Sequence, residues 1–152
     1  MVDVLEPYVK EIADIKKDLP NILRKILIDN EDKVMDILRN FQLTKGLDSN
    51  GRVVGTYSVN TPNYITSDNE PRQDKIPGAP YNFEWTGGLF DDMFMDFKDL
   101  KSYSLFSKDK KAVMLEKEYG DIFTLTDKNN KMVNDEILRP LMYEEIIRRL
   151  YY

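Results

Sequence analysis

Four carboxylates, Glu84, Asp91, Asp92 and Asp96, lie close together in the chain. Clustered carboxylates can hold magnesium or calcium, or divide acid and base duties between them. On an alternating strand, however, Asp92 and Asp96 share a face that Asp91 does not. A calcium loop also needs a denser, Gly-broken arrangement of oxygens, so a solvated strand face accounts for these acids. Thr86-Gly87-Gly88 could cradle an anion with backbone N–H groups, but it lacks the Lys and the following Ser or Thr of a nucleotide-binding loop. Basic side chains gather at Lys108, Lys110 and Lys111 and at Arg148-Arg149, where solvated helix ends account for them. The chain contains neither His nor Cys. That excludes disulfides, thiolate catalysis and zinc-thiolate sites, and removes the usual general base near neutral pH. No catalytic residue, cofactor or metal site is expected, and the chain is not expected to be an enzyme.

The elements that carry these residues follow from patterning. With 152 residues and 41% hydrophobic content, residues 1–152 are expected to form one domain with a core of its own. The net charge of −5 does not suit general attraction to nucleic acid. The opening MVDVLEPYVKEIADIKKDL has acids near its front and no long apolar run, so neither a signal peptide nor a membrane span is expected, and the product reads as soluble and intracellular. Val2, Leu5, Val9, Ile12 and Ile15 recur at spacings of three and four, the mark of an amphipathic helix. Its stripe suits packing on a sheet or docking to a partner helix. Asp18-Leu19-Pro20 reads as a stop and restart. The helical period then continues to Phe41, with polar Asp29-Asn30 marking a kink, so residues 1–42 form a helical region.

Asp48-Ser49-Asn50-Gly51 is the best hairpin signal, flanked by short arms at Leu43 to Leu47 and Arg52 to Tyr57. Residues 58–76 are polar and read as a long surface loop, either an arm reaching a neighbour or a mobile segment. Pro77, Gly78 and Pro80 hold the chain extended, so Tyr81, Phe83 and Trp85 alternate as on a strand. After Thr86-Gly87-Gly88 the apolar run from Leu89 to Phe97 is where the chain enters its core. A second hairpin pairs Met93, Met95 and Phe97 with Tyr103, Leu105 and Ser107 across a Lys98–Lys101 turn. Ser107 or Asp109 caps a helix over Lys110 to Tyr119 that buries Val113, Met114 and Leu115 and ends at Gly120. Ile122, Phe123 and Leu125 form an apolar link, and Thr126 or Asp127 opens a final helix bent by Pro140. The fold class is α+β: a small antiparallel sheet of about four strands packed by N-terminal and C-terminal helices. Tyr57, Tyr64, Trp85, Tyr151 and Tyr152 are the expected interface anchors, with Trp85 also suited to the core and the terminal pair suited to packing back on it.

The order of pieces resembles minor virion proteins of tailed bacteriophages, the tail-completion or head–tail joining proteins of the neck. The resemblance is carried by KGLDSNG, TGGL and EKEYGDIFTLT, within a frame of N-terminal helices, PGAPYNFEWTGGLFDDM, a strand pair and a terminal helix. The Ser58 to Gln73 insertion and the acidic N-terminal helix depart from the compact tail-completion pattern. The resemblance implies a homo-oligomeric ring in the virion neck, assembled in the host cytoplasm between portal and tail proteins. It would help to seal the DNA channel with no specific nucleic-acid binding and no membrane. A non-catalytic intracellular adaptor that binds a protein partner through its N-terminal helices is the alternative.

Overall fold

The computed structural model describes residues 5–60, 75–84 and 87–151. The expectations for Tyr64, Trp85 and Tyr152, and for the heart of the 58–76 loop, lie outside the described residues. The fold is α+β, with helices dominating and a small antiparallel sheet.

Helix α1 spans Glu6–Asp29 without interruption, which corrects the stop expected at Asp18-Leu19-Pro20. An interior proline removes one i→i−4 bond and crowds the preceding turn, at a cost of about 3 kcal/mol. Ile15, Ile22 and Leu27 are buried on either side of Pro20, so tertiary packing carries the helix through it. The chain breaks at Asn30, as the polar Asp29-Asn30 pair implied. The Asn30 Nδ2 donates back to the Ile26 carbonyl at 2.9 Å, and α2 then runs over Glu31–Phe41. Val34 and Leu38 of α2 are completely buried, with Met35 and Ile37 nearly so.

Strands β1 (Met93–Phe97) and β2 (Tyr103–Ser107) pair antiparallel as the expected hairpin, with Met93 opposite Ser107, Met95 opposite Leu105 and Phe97 opposite Tyr103. Asp99 Oδ1 fixes the turn between them by accepting from the N–H groups of Lys101 at 2.7 Å and Ser102 at 2.8 Å. The chain enters the core at Leu89, within the short helix α3 (Gly88–Asp91), and at Met93. Glu31 Oε1 at the start of α2 accepts from the Met95 N–H at 2.6 Å, tying helix to strand.

The expected sheet of about four strands is not seen among the described residues, which hold this one pair. The Asp48–Gly51 turn forms, with Gly51 at φ 75°. Its arms meet only at the bridge between Leu47 and Val53, and the extended stretch after Pro77 touches Thr56 only at Pro80. Leu43–Lys45 coils into a 3-10 turn, consuming the first arm. The bonds at that bridge run from the Tyr57 N–H to the Ala79 carbonyl at 3.0 Å and from the Tyr81 N–H to the Gly55 carbonyl at 3.1 Å.

Helix α4 (Lys110–Tyr119) starts at Asp109, whose Oδ1 accepts from the Lys111 N–H at 2.7 Å, and ends at Gly120 with φ 79°. Its buried face corrects the one expected: Ala112 is buried and Leu115 half-buried, while Val113 and Met114 are 73% and 69% exposed. Three consecutive helical residues span more than half the circumference, so a helix packed on one side cannot bury them all. The link Ile122, Phe123 and Leu125 is buried. Helix α5 (Asp127–Val133) is capped by Thr126 Oγ1, which accepts from the Asn129 N–H at 3.2 Å. A π-helical turn, Asn134–Leu138, joins it to α6 (Arg139–Tyr151). Pro140 offers no N–H to the Glu136 carbonyl, and the widened π-helical turn lies just before it.

Gln42, fully buried at the end of α2, joins these parts. Its Nε2 donates to the carbonyls of Ile122 at 2.9 Å and Thr124 at 2.8 Å. Its Oε1 accepts from the Thr126 N–H at 3.0 Å and from Asn129 Nδ2 at 3.2 Å. Gln42→Leu keeps the volume but strands these polar groups in the core, and is expected to destabilise the fold by about 3 kcal/mol or more. Denaturant unfolding checks this; a change within about 0.5 kcal/mol, the range of an ordinary surface substitution, would show the network to be dispensable.

Candidate functional site

The acidic cluster does not converge. Asp91 ends α3, Asp92 follows it and receives the Lys108 N–H on its carbonyl at 3.0 Å, and Asp96 stands exposed on β1 opposite Ser104. Glu84 is exposed on the extended stretch. Among the described residues no group of three or more acidic side chains could hold a metal ion. Two other features stand out instead, a concave aromatic pocket and an exposed apolar stripe.

The pocket, about 350 Å³, is walled by Tyr57, Tyr81, Phe83 and Tyr119, with Leu89 and Leu115 behind and Glu84, Asp109 and Lys111 completing the lining alongside Lys75. The rings support one another: Tyr57 meets Tyr81 edge-on with centroids 5.0 Å apart, Tyr81 lies 5.5 Å from Tyr119, and Phe83 lies 5.7 Å from Tyr119. Contacts of this kind contribute about 0.5–1.5 kcal/mol each beyond burial. Tyr81 can sit so deep because Gly55 faces it. A Cβ at Gly55 would lie 2.4 Å from Tyr81 Cε2, and one at Gly46 would lie 2.3 Å from the Tyr81 carbonyl oxygen. Burial first, then a hydrogen bond with Glu118, raises the Tyr119 phenol well above its ordinary range, so it remains protonated at neutral pH.

Lys75 is only 1% exposed. Its Nζ donates to Asn82 Oδ1 and to the Glu84 carbonyl, and lies 5.2 Å from the Tyr57 ring centre. Tyr57 in turn donates its hydroxyl to Asn82 Oδ1 at 2.7 Å and accepts from the Asn82 N–H at 3.1 Å. The pocket wall is therefore cross-braced from behind by one lysine and one asparagine. Of the expected anchors, Tyr57 stands in this wall, whereas Tyr151 ends α6, is 67% exposed and is not part of the pocket.

The stripe is on the first half of α1. Leu5, Tyr8, Val9 and Ile12 are 67%, 45%, 65% and 55% exposed. Their spacing places them on one helical face. Only from Ile15 onward does that helix bury side chains. Farther along, α1 is held against α6 by a charged clasp. Arg149 Nη2 donates to Asp18 Oδ2 at 2.8 Å, while Arg149 Nε at 2.9 Å and Arg148 Nη2 at 2.7 Å both donate to Glu145 Oε1. Hydrogen bonds from Arg148 and then Arg149 hold the Glu145 carboxyl down from 4.5 to about 2. Asn21 first and Arg149 second lower Asp18. Arg148-Arg149 thus sits at a helix C-terminus as expected, whereas Lys108, Lys110 and Lys111 gather around the N-terminus of α4.

Sequence reasoning missed Lys75 and the pocket, because a Lys flanked by Asp74 and Ile76 in a polar run carries no local mark of burial. No protein-family model, curated protein or solved structure matches the chain.

The clasp has a pH signature. A carboxyl lowered in the folded state contributes stability above its unfolded value and loses it on protonation. For Glu145 that stabilisation is complete above about pH 4.5 and fades toward pH 2. Thermal unfolding followed across that range is expected to show Glu145→Gln less stable than wild type at pH 7 and converging with it as the pH falls. A constant gap between the two would place the lost stability elsewhere.

Proposed function

We propose that the chain is a structural subunit of a tailed-bacteriophage head–tail connector, assembling as a ring of identical copies between portal and tail and helping to seal the DNA channel. The observation that carries this reading is the exposed stripe of α1, Leu5, Tyr8, Val9 and Ile12. A helix with one apolar face buries that face against something, and the body of the protein covers it only from Ile15 onward.

The three segments that carry the resemblance to neck proteins also support it, because they meet in space. The Ser49 N–H of KGLDSNG donates to the Asp121 carbonyl of EKEYGDIFTLT at 2.9 Å. Leu89 of TGGL and Tyr119 of EKEYGDIFTLT line the same pocket. These segments are parts of one packed unit. In this reading the work is mechanical and assigns no catalytic residue or cofactor. The partners are copies of the chain, the portal and adjacent neck or tail proteins, in the virion. The packaged DNA lies nearby without being specifically bound.

The same stripe favours a second reading, an adaptor that docks one partner protein through α1. Mass measurement separates them. The connector reading expects purified protein to form higher multimers as concentration rises, and Val9→Glu with Ile12→Glu to abolish them while leaving the helical signal and melting temperature nearly unchanged. A wild-type chain that stays monomeric at the highest concentration reached by sedimentation would favour the adaptor.

A further inference from the structure

A ring of identical subunits needs two different faces on each copy, one to give and one to receive. Resting on the connector reading, we infer that the aromatic pocket is the receiving face and that it takes the N-terminal half of α1 from the next copy, with Tyr8 seated among Tyr57, Tyr81, Phe83 and Tyr119.

Shape supports this first. A concave space of about 350 Å³ with aromatic walls admits one large side chain, and Tyr8 is the aromatic member of the exposed stripe. Its ring would extend a set of edge-on and tilted contacts already present in the wall. The apolar neighbours of Tyr8 then need a surface beside the pocket. Met114 of α4 provides it, being 69% exposed and one turn from the pocket-lining Lys111.

Charge supports it second. At 100° per residue Glu6 and Glu11 flank the stripe, one on each side. The pocket opens at the start of α4, where Lys108, Lys110 and Lys111 are all exposed. The N-terminal end of a helix carries partial positive charge of its own, and these three lysines outnumber the two acids at the pocket, Asp109 and Glu84. Acids on the incoming helix therefore meet bases and a favourable dipole on the receiving one. The two faces also lie on separate parts of the fold, since α1 packs against α6, α2 and the π-helical turn while the pocket is built from Tyr57, residues 75–84, α3 and α4. Such a contact joins copies head to tail.

A charge swap tests it with the whole chain. One variant carries Lys110→Glu and Lys111→Glu, and a second carries Glu6→Lys and Glu11→Lys; all four positions lie at the surface or its edge, so folding is preserved and circular dichroism verifies it. Each variant alone places like charges across the contact and is expected to lose multimers by at least tenfold in concentration. An equimolar mixture places opposite charges across every contact and is expected to recover them as alternating assemblies, read by native mass spectrometry. Tyr8→Ala supplies an uncharged check and is expected to weaken assembly without altering the monomer's stability. If wild type assembles but either variant does so equally well alone, or the mixture fails to recover, the pocket is not the receiving face. If wild type never assembles, the connector reading itself falls, and this inference with it.

Discussion

The side-chain amide of Gln42 holds the chain's distant parts in one arrangement. It is completely buried, and both ends are used: the Nε2 is shared between two carbonyls and the Oε1 between two donors. An amide in a core stabilises one arrangement over its neighbours, because any slip of the Ile122–Thr126 link would leave a donor or acceptor without its partner. Purely apolar packing in the surrounding core, which includes Leu38, Ile122 and Phe123, is less particular about register. The link is short and irregular, with no ladder of its own. Gln42 supplies for it what a neighbouring strand supplies in a sheet.

Local chemistry was legible in the sequence and distant chemistry was not. The β1–β2 hairpin followed from period-two patterning, with Met93, Met95 and Phe97 on one face and a polar turn at Lys98–Lys101. Asp109, Thr126 and Gly120 could be placed at helix ends because a cap acts within three residues. Pro20 shows the limit of such rules. Its local preference for a stop is outweighed by the burial of Ile22 and Leu27, and the distant elements that cover them are not set by the residues around Pro20. Gln42 and Lys75 reach partners far away or inside a polar run, and their types alone predict exposure. The missing strands have the same cause: Leu43 is completely buried under the helices, and the 3-10 turn that buries it uses up the backbone an arm would need.

The pocket is a consequence of close approach. Tyr81 fits against Gly46 and Gly55 because neither has a side chain, and Gly46 sits at φ 64°, a conformation that costs other residues energy. Lys75 then fills the space behind Tyr57 with an ammonium that is held by oxygen acceptors and an aromatic face. A wall fixed this way changes little on binding, so less of any association energy goes into ordering it. The stripe of α1 is likewise ordered in advance, since the clasp of Asp18, Glu145 and the two arginines fixes the helix on which it rides.

If the stripe and pocket meet between copies as proposed, magnitudes favour a ring over a simple pair. Burying a large apolar side chain stabilises by about 1.5–3 kcal/mol, so the partly exposed Leu5, Tyr8, Val9 and Ile12 would together contribute roughly 6 kcal/mol to the proposed contact. Losing the free motion of one copy costs about 4–15 kcal/mol. One contact is therefore marginal in solution. A closed ring gains one contact more than an open chain of the same length, and the closing contact forms between ends already held near each other, where effective concentration is high. In the proposed ring, weak individual contacts would give free subunits that do not clump before assembly and a ring that holds once complete, with the pocket and clasp ordered before the contact forms.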